Sequence, residues 1–452
     1  MRMKNIILLL LAFSYSNAEL DSLINEKKYL EIIEVADNAI KTSADVDDVF
    51  FKKASEVALL LDDLDKAIQY LKKSISIKDT KDYRDEWDRI VRMRKDIEIA
   101  LKRYQEENDY EGAISELESL EYPDCALIDY SIGKIYQQED EYASALESFK
   151  TAVRKNPYRE KYSLSINYII GKFITDGDEY YSMRDFSSAL DQYLFADTNF
   201  SIDVNSQKVV DEDSLNESQL EELNKTRDQI SKKVALKFKI AKTYYFLKEY
   251  SDSQEALRYL IALKKDHYEA YKLLGDVLKR LGDRDLALKN YLLAIDANEN
   301  YEKAYLAVGQ MYLSDNNIDG AKKYLLSAID IKKDYAKAYE TLGILYQNTS
   351  SYNKAIDNYL KALEYDRRNY KAMSRLASVY NSLEKYDLAK KYAKNCIKVK
   401  RSYPDAYYEL GIAEKGLGSR VAAIDAFNKA KKSSKWRKAA QYEIDLIKKE
   451  LD

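Results

Sequence analysis

Three prolines and 12 glycines in 452 residues are too few to punctuate a chain of strands and tight turns. Two cysteines, Cys125 and Cys396, lie far apart and leave no disulfide framework. A single histidine, His267, supplies neither a metal ligand set nor a base beside a nucleophile, so its reading is structural. No glycine-rich phosphate loop occurs, and no pair among the many carboxylates is singled out by its neighbours. A formal net charge of −4 excludes the basic excess of a nucleic-acid binder. Beyond the first residues no apolar run approaches the ~20 residues needed to cross a bilayer. These absences leave no catalytic, cofactor or metal residue to name, and point away from an enzyme.

What is present is charge, apolar surface and tyrosine: 33% charged residues, 46% hydrophobic ones and 41 tyrosines. Apolar positions recur at helical spacing almost throughout, which predicts an all-α protein. The N-terminus reads differently. Arg2 and Lys4 precede the apolar run IILLLLAF, Ile6 to Phe13, and small Ser16 and Ala18 follow. This is the pattern of a secretory signal peptide cleaved after Ala18, which predicts an exported, periplasmic protein.

The main signal is a period. Gly275, Gly309, Gly343, Ala377 and Gly411 stand 34 residues apart, each preceded by an aliphatic residue. Twelve residues beyond each lie Ala287, Ala321, Ala355, Ala389 and Ala423, and a turn later Tyr291, Leu325, Tyr359, Ala393 and Phe427. Two amphipathic helices per period, joined by a short polar turn, satisfy this spacing. Glycine inside a helix costs ~1 kcal/mol relative to alanine, so its recurrence implies close packing that offsets the cost. Gly343→Leu is therefore expected to lower the melting temperature more than Lys337→Leu.

The run Y-x2-L-G-x2-Y, then A-x3-Y-x2-A, resembles the tetratricopeptide repeat. The likeness covers residues 234–437 as six repeats starting at Val234, Tyr268, Glu302, Ala336, Tyr370 and Pro404. A further good copy spans 126–159, with Gly133, Tyr136, Ala145, Phe149 and Pro157, and weaker ones surround Ala67, Ala113 and Ala189. The resemblance implies a right-handed α-solenoid of stacked helix-turn-helix units. The expected organisation is a signal peptide at 1–18, an irregular helical array at 19–203, an acidic insertion and helix start at 204–233, the regular array at 234–437, and a C-terminal capping helix at 438–452. Segments 82–107, 159–182 and 207–247 read as long helices, the last opened by a capping box of Ser214 and Glu217.

The resemblance also implies a partner-binding stripe on the first helix of each repeat. It comprises Lys272, Asp276 and Lys279; Leu306, Gln310 and Leu313; Glu340, Ile344 and Gln347; Lys371 and Arg375; and Tyr408 and Ile412. Tyr130, Tyr245 and Tyr408, off the core register, should face the same side. A second surface is basic: Lys390, Lys391, Lys394, Lys398, Lys400 and Arg401, then Lys431, Lys432, Lys435, Arg437 and Lys438, a candidate for docking on anionic membrane. The function expected is a non-catalytic scaffold of the bacterial cell envelope, binding proteins or peptides and supporting an envelope, secretion or motility complex. A periplasmic peptide-holding chaperone and an accessory subunit of a transporter or envelope enzyme are the alternatives.

Overall fold

The computed structural model describes residues 17–43, 45–200 and 216–449. Among them are 23 helices and no strand. The expected signal segment falls almost wholly outside the described residues, as does Ser214. The long third helix, Glu217–Leu247, is opened two residues later than expected, by a capping box of Asn216 and Gln219. Residues 217–233 are thus the beginning of one continuous helix.

Local sequence accounts for the helix pairs. In the regular array five of the six first helices begin at the expected residues, Tyr268–Leu281, Glu302–Ser314, Ala336–Asn348, Tyr370–Ser382 and Pro404–Gly416, while the expected start at Val234 lies inside the helix Glu217–Leu247. Their partners are Arg284–Ala297, Ile318–Ile331, Tyr352–Tyr365, Tyr386–Val399 and Arg420–Ala430. One left-handed residue per repeat turns the chain between the two helices: Lys248, Gly282, Asn316, Ser350, Glu384 and Gly418. Glycine and asparagine take that conformation at low cost; at the other three positions the packing of the flanking helices imposes it. Caps vary from repeat to repeat. Asn317 accepts from the Gly320 amide, Asn369 from the Ala372 amide, and His267 Nδ1 from the Ala270 amide at 3.2 Å. Burial holds His267 below its ordinary pKa, in the neutral form that this cap requires.

The recurring glycine has a defined neighbour. A Cβ on Gly275, Gly343 or Gly411 would stand 2.5 Å from the ring of Tyr291, Tyr359 or Phe427 on the second helix. On Gly133 it would stand 2.6 Å from Phe149, and on Gly309 2.8 Å from Leu325. The residue 16 positions on thus fills the space that glycine leaves. Tyr291, Tyr359, Phe427 and Phe149 are among the largest fully buried side chains. Burying one contributes ~1.5–3 kcal/mol, more than the helix penalty of the glycine.

The chain divides into two compact units, 1–179 with 198–201, and 180–197 with 202–452. The division falls inside the helix Glu160–Ser182, earlier than the expected junction at 203/204. Contacts of residues 180–197 explain their assignment to the second unit. Phe186 stacks on Phe246 at 5.0 Å, and Asp197 pairs with Lys233 and Lys237 of the helix Glu217–Leu247. In the first unit, the helices Asp48–Leu60, Leu64–Ile77 and Lys81–Glu107 share one core with Ala113, Leu117 and Ile132. The helix Arg437–Lys449 ends the second unit, its Ile444 and Ile447 buried with Phe427 and Ala430.

Candidate functional site

The stripe begins in the core. Tyr291 passes under Gly275, and its hydroxyl donates to Asp276 Oδ1 at 2.9 Å. The other oxygen of Asp276 takes Lys272 Nζ at 2.5 Å. Tyr359 repeats the arrangement two repeats on, donating to Gln347 Oε1 at 2.8 Å. Tyrosine at these positions therefore fills the core and orients a surface residue on the first helix, which the phenylalanine at 427 cannot do. Burial, with Asp276 beside it, raises the Tyr291 phenol well above its usual range, so it remains a donor.

Other members of the stripe divide into exposed and covered. Lys279, Lys371 and Arg375 are exposed, and Gln310 is half-buried with Nε2 at 3.5 Å from Thr341 Oγ1. Leu313, Ile344 and Ile412 lie partly buried against the core. Two expected contact residues are not offered to a partner. Leu306 is 8% exposed and belongs to the core cluster, because its first helix packs against the following repeat. Glu340 is 4% exposed, accepting from Lys337 Nζ at 2.8 Å and from Asn369 Nδ2 at 3.0 Å. Asn369 also caps the next first helix, so the Glu340–Asn369 bond joins two repeats. Tyr408 is partly covered: Trp436 stacks on it with ring centroids 4.0 Å apart, and Phe427 meets its edge. Of the other off-register tyrosines, Tyr130 packs between Phe149 and Tyr162, and Tyr245 lies against Phe246 and Tyr250.

Glu409 was not foreseen. Asn381 Nδ2 donates both to its carboxylate, at 2.8 Å, and to its backbone oxygen, at 2.9 Å. Loss of water around this partly buried carboxyl pushes it above the ordinary range, against the hydrogen bonds from Asn381 and Ser378. Asp405 adds to the rise and the Arg375 guanidinium opposes it. The one signal in the sequence was the 28-residue spacing of an amide and a carboxylate on successive first helices, and many other pairs share it.

The basic surface is partly spent on the protein itself. Lys390 and Lys394 lie 2.9 and 3.9 Å from the buried Glu414, and Lys435 lies 2.9 Å from Asp405. Lys400 covers the Tyr370 ring at 4.4 Å, Lys391 lies over Tyr392, and Lys431 donates to Gln441. Arg401 and Lys432 share a cavity of about 460 Å³ with Lys429 and Tyr407. Lys398, Arg437 and Lys438 are exposed.

Burial raises both thiols. Cys396 is fully buried, its Sγ 3.1 Å from the Tyr370 carbonyl, and burial pushes its thiol up to about 12. Cys125 is free and raised by burial too. Among the described residues no group of three or more His, Cys, Asp or Glu is placed to hold a metal ion. No described helix is long and apolar enough to cross a membrane.

Four stretches match known families. Residues 50–81 and 238–302 each match a tetratricopeptide repeat family. Residues 278–377 match the C-terminal ARM domain of tetratricopeptide repeat protein 21, and residues 342–447 its fifth ARM repeats domain. No curated protein matches the chain. Among solved structures, MamA is 28% identical over 37% of this chain and 98% of its own, with a TM-score of 0.33. The APC/C hetero-tetramer Cut9-Hcn1 is 13% identical over 95% of each chain, with a TM-score of 0.45. PilF of Pseudomonas aeruginosa is 16% identical over 48% of this chain and 99% of its own, with a TM-score of 0.44.

Proposed function

From a chain that carries tetratricopeptide repeats stacked as an all-α solenoid, we infer a non-catalytic scaffold of the bacterial cell envelope. It works in the periplasm and holds one or a few protein partners during assembly of an envelope, secretion or motility complex. The observation that carries the reading is the stripe. Successive first helices present polar groups, half-buried Gln347 held by Tyr359 and then exposed Lys371 and Arg375, above a core that is complete without them. A side chain held from below, as Gln347 is, loses little entropy on binding, which favours recognition of another polypeptide. The periplasmic placement rests on the charge and hydrophobic pattern of residues 1–18. Peripheral contact with anionic membrane would draw on Lys398, Arg401, Lys432, Arg437 and Lys438. Sedimentation with anionic vesicles that does not weaken as salt rises removes that contact.

Photocrosslinking in intact cells from positions 371 and 375 tests the reading. One or a few partners at stoichiometric yield are expected, in the periplasmic fraction, with the mature chain starting at Glu19. Many partners together with suppressed aggregation in vitro identify a holding chaperone instead. No crosslink from either position, or an uncleaved chain in the cytosol, overturns the stripe or the placement respectively.

A further inference from the structure

The first unit contains a cavity that the repeat pattern does not call for. It encloses about 610 Å³, within the ~300–1,000 Å³ range of ligand sites. Leu59, Leu60 and Leu64 form one side, at the turn between helices Asp48–Leu60 and Leu64–Ile77. Met93 of the helix Lys81–Glu107 forms a second, and Tyr122 and Pro123 a third. The walls are fastened together. Asn156, 8% exposed, donates to the Leu60 carbonyl and to Asp62 Oδ2, and the Tyr162 hydroxyl reaches the same oxygen at 2.6 Å. Asp62 takes a left-handed backbone, φ 50°, to receive them. Yet Leu60 and Tyr158 on its lining remain 43% exposed.

Acidic groups outnumber basic ones at this cavity. Four carboxylates line it against two bases, Arg89 and Lys155. Lys155 is engaged with Asp129 at 2.7 Å, Glu56 with Lys52 at 2.8 Å, and Asp62 with Asn156 and Tyr162. Glu121 and Asp124 remain, both exposed, on either side of Tyr122 and Pro123, with exposed Arg89 the one basic lining group left against them. An apolar floor beneath two carboxylates attracts an apolar side chain with a cation beside it and repels an anion. These carboxylates belong to no group of three or more His, Cys, Asp or Glu placed to hold a metal ion among the described residues.

We propose that this cavity is a second docking site, for an extended peptide presenting a large apolar side chain next to Lys or Arg. It stands independently of the stripe on the second unit. The apolar side chain enters between Leu60 and Met93, and the cation remains at the mouth with Glu121 and Asp124. Specificity comes from the repulsion of acidic peptides as much as from the attraction of basic ones. Cys125 lines the cavity and reports its occupancy, while Cys396, fully buried in the second unit, is the internal control.

The probe is a fluorescein-labelled peptide with Trp-Leu-Arg-Arg between Gly-Ser ends, tested on the full chain at near-physiological salt. Its counterparts carry Glu for Arg, or Ser for Trp and Leu. The Arg peptide is expected to bind by anisotropy and to slow alkylation of Cys125, read by mass spectrometry, without changing Cys396. Both counterparts bind about tenfold more weakly or worse. Glu121→Lys with Asp124→Lys, and separately Leu60→Ser, weaken the Arg peptide by the same factor while circular dichroism is unchanged. Glu299→Lys with Glu364→Lys, exposed acids of the second unit, leaves binding intact. So does Lys371→Glu with Arg375→Glu, which separates this site from the stripe. Equal binding of the Arg and Glu peptides, binding that leaves Cys125 alkylation unchanged, or no binding overturns the proposal.

Discussion

Two neighbouring repeats solve the same packing problem in opposite ways. In 336–369, Gly343 has no side chain and the Tyr359 ring occupies the space, with its hydroxyl reaching Gln347. In 370–403, Ala377 faces a second helix whose corresponding large residue has shrunk to Ala393, both fully buried. Ring volume there comes from a different pair, Tyr380 and Tyr392, stacked at 5.6 Å. The second repeat also bonds to its successor through polar bridges, Asn381 to Glu409 and Lys390 to Glu414. The lesson is that glycine is not a fixed requirement of this architecture. It is required where a large opposing side chain, a ring or Leu325, lies against the helix backbone, and alanine serves opposite the small Ala393.

The largest expected effects break the first arrangement. Tyr359→Ala should cost about 4 kcal/mol, through lost burial and the cavity left behind. Gly343→Leu should cost about 3 kcal/mol by overpacking against the same ring. Because both act on one space, Gly343→Leu should cost less in the Tyr359→Ala background, and strict additivity by denaturant titration would contradict the shared-space account. Lys337→Leu is not the neutral comparison it promised to be, since Lys337 is a partner of the buried Glu340. Arg367→Leu, at an exposed position in the same repeat, takes its place.

A smaller effect sharpens the contrast from the other side. Ala377→Gly should cost about 1 kcal/mol, the helix penalty alone, because no ring moves into the vacated space. Gly343→Ala should also destabilise, although alanine is the better helix former, since its Cβ would meet the Tyr359 ring at 2.5 Å. A gain in melting temperature for Gly343→Ala would show that the ring yields freely.

The smallest effect concerns the polar bridge, and its sign depends on pH. The Glu409 carboxyl lies above its ordinary value of 4.5 in the folded chain. A carboxyl raised in this way contributes stability that is full below about pH 4.5 and is lost as pH rises through the folded value. Asp405 raises it and Arg375 lowers it, so both face the group that titrates. Glu409→Gln keeps an acceptor for Asn381 and removes the charge. It should stabilise the chain slightly at pH 7, with the gain shrinking toward pH 4. A loss at pH 7 would mean that the charge itself holds the two repeats together.

The helix pairs were legible in the residues because their cause is local and repeated. The five regular first helices begin at Tyr268, Glu302, Ala336, Tyr370 and Pro404, where the 34-residue period places them. The long helices Lys81–Glu107 and Glu160–Ser182 were legible for the same reason, an unbroken apolar period. The candidate stripe was legible as a register and not as a surface. Leu306, Glu340 and Tyr408 occupy stripe positions, yet the next repeat covers the first two and Trp436 partly covers the third. The basic run from Lys390 to Arg401 read as one patch, and Glu414 takes up two of its lysines.

Periodicity by itself determined that this chain forms paired helices, where the five regular first helices begin, and most of the residues that face inward, because each depends on spacing within about one turn. Tertiary structure alone decided which glycine faces a ring, which stripe residue remains open, which lysine is free, and that a cavity with two unspent carboxylates lies among helices of the first unit. Those outcomes depend on side chains that meet from tens of residues apart, and a one-dimensional pattern carries no record of such distances.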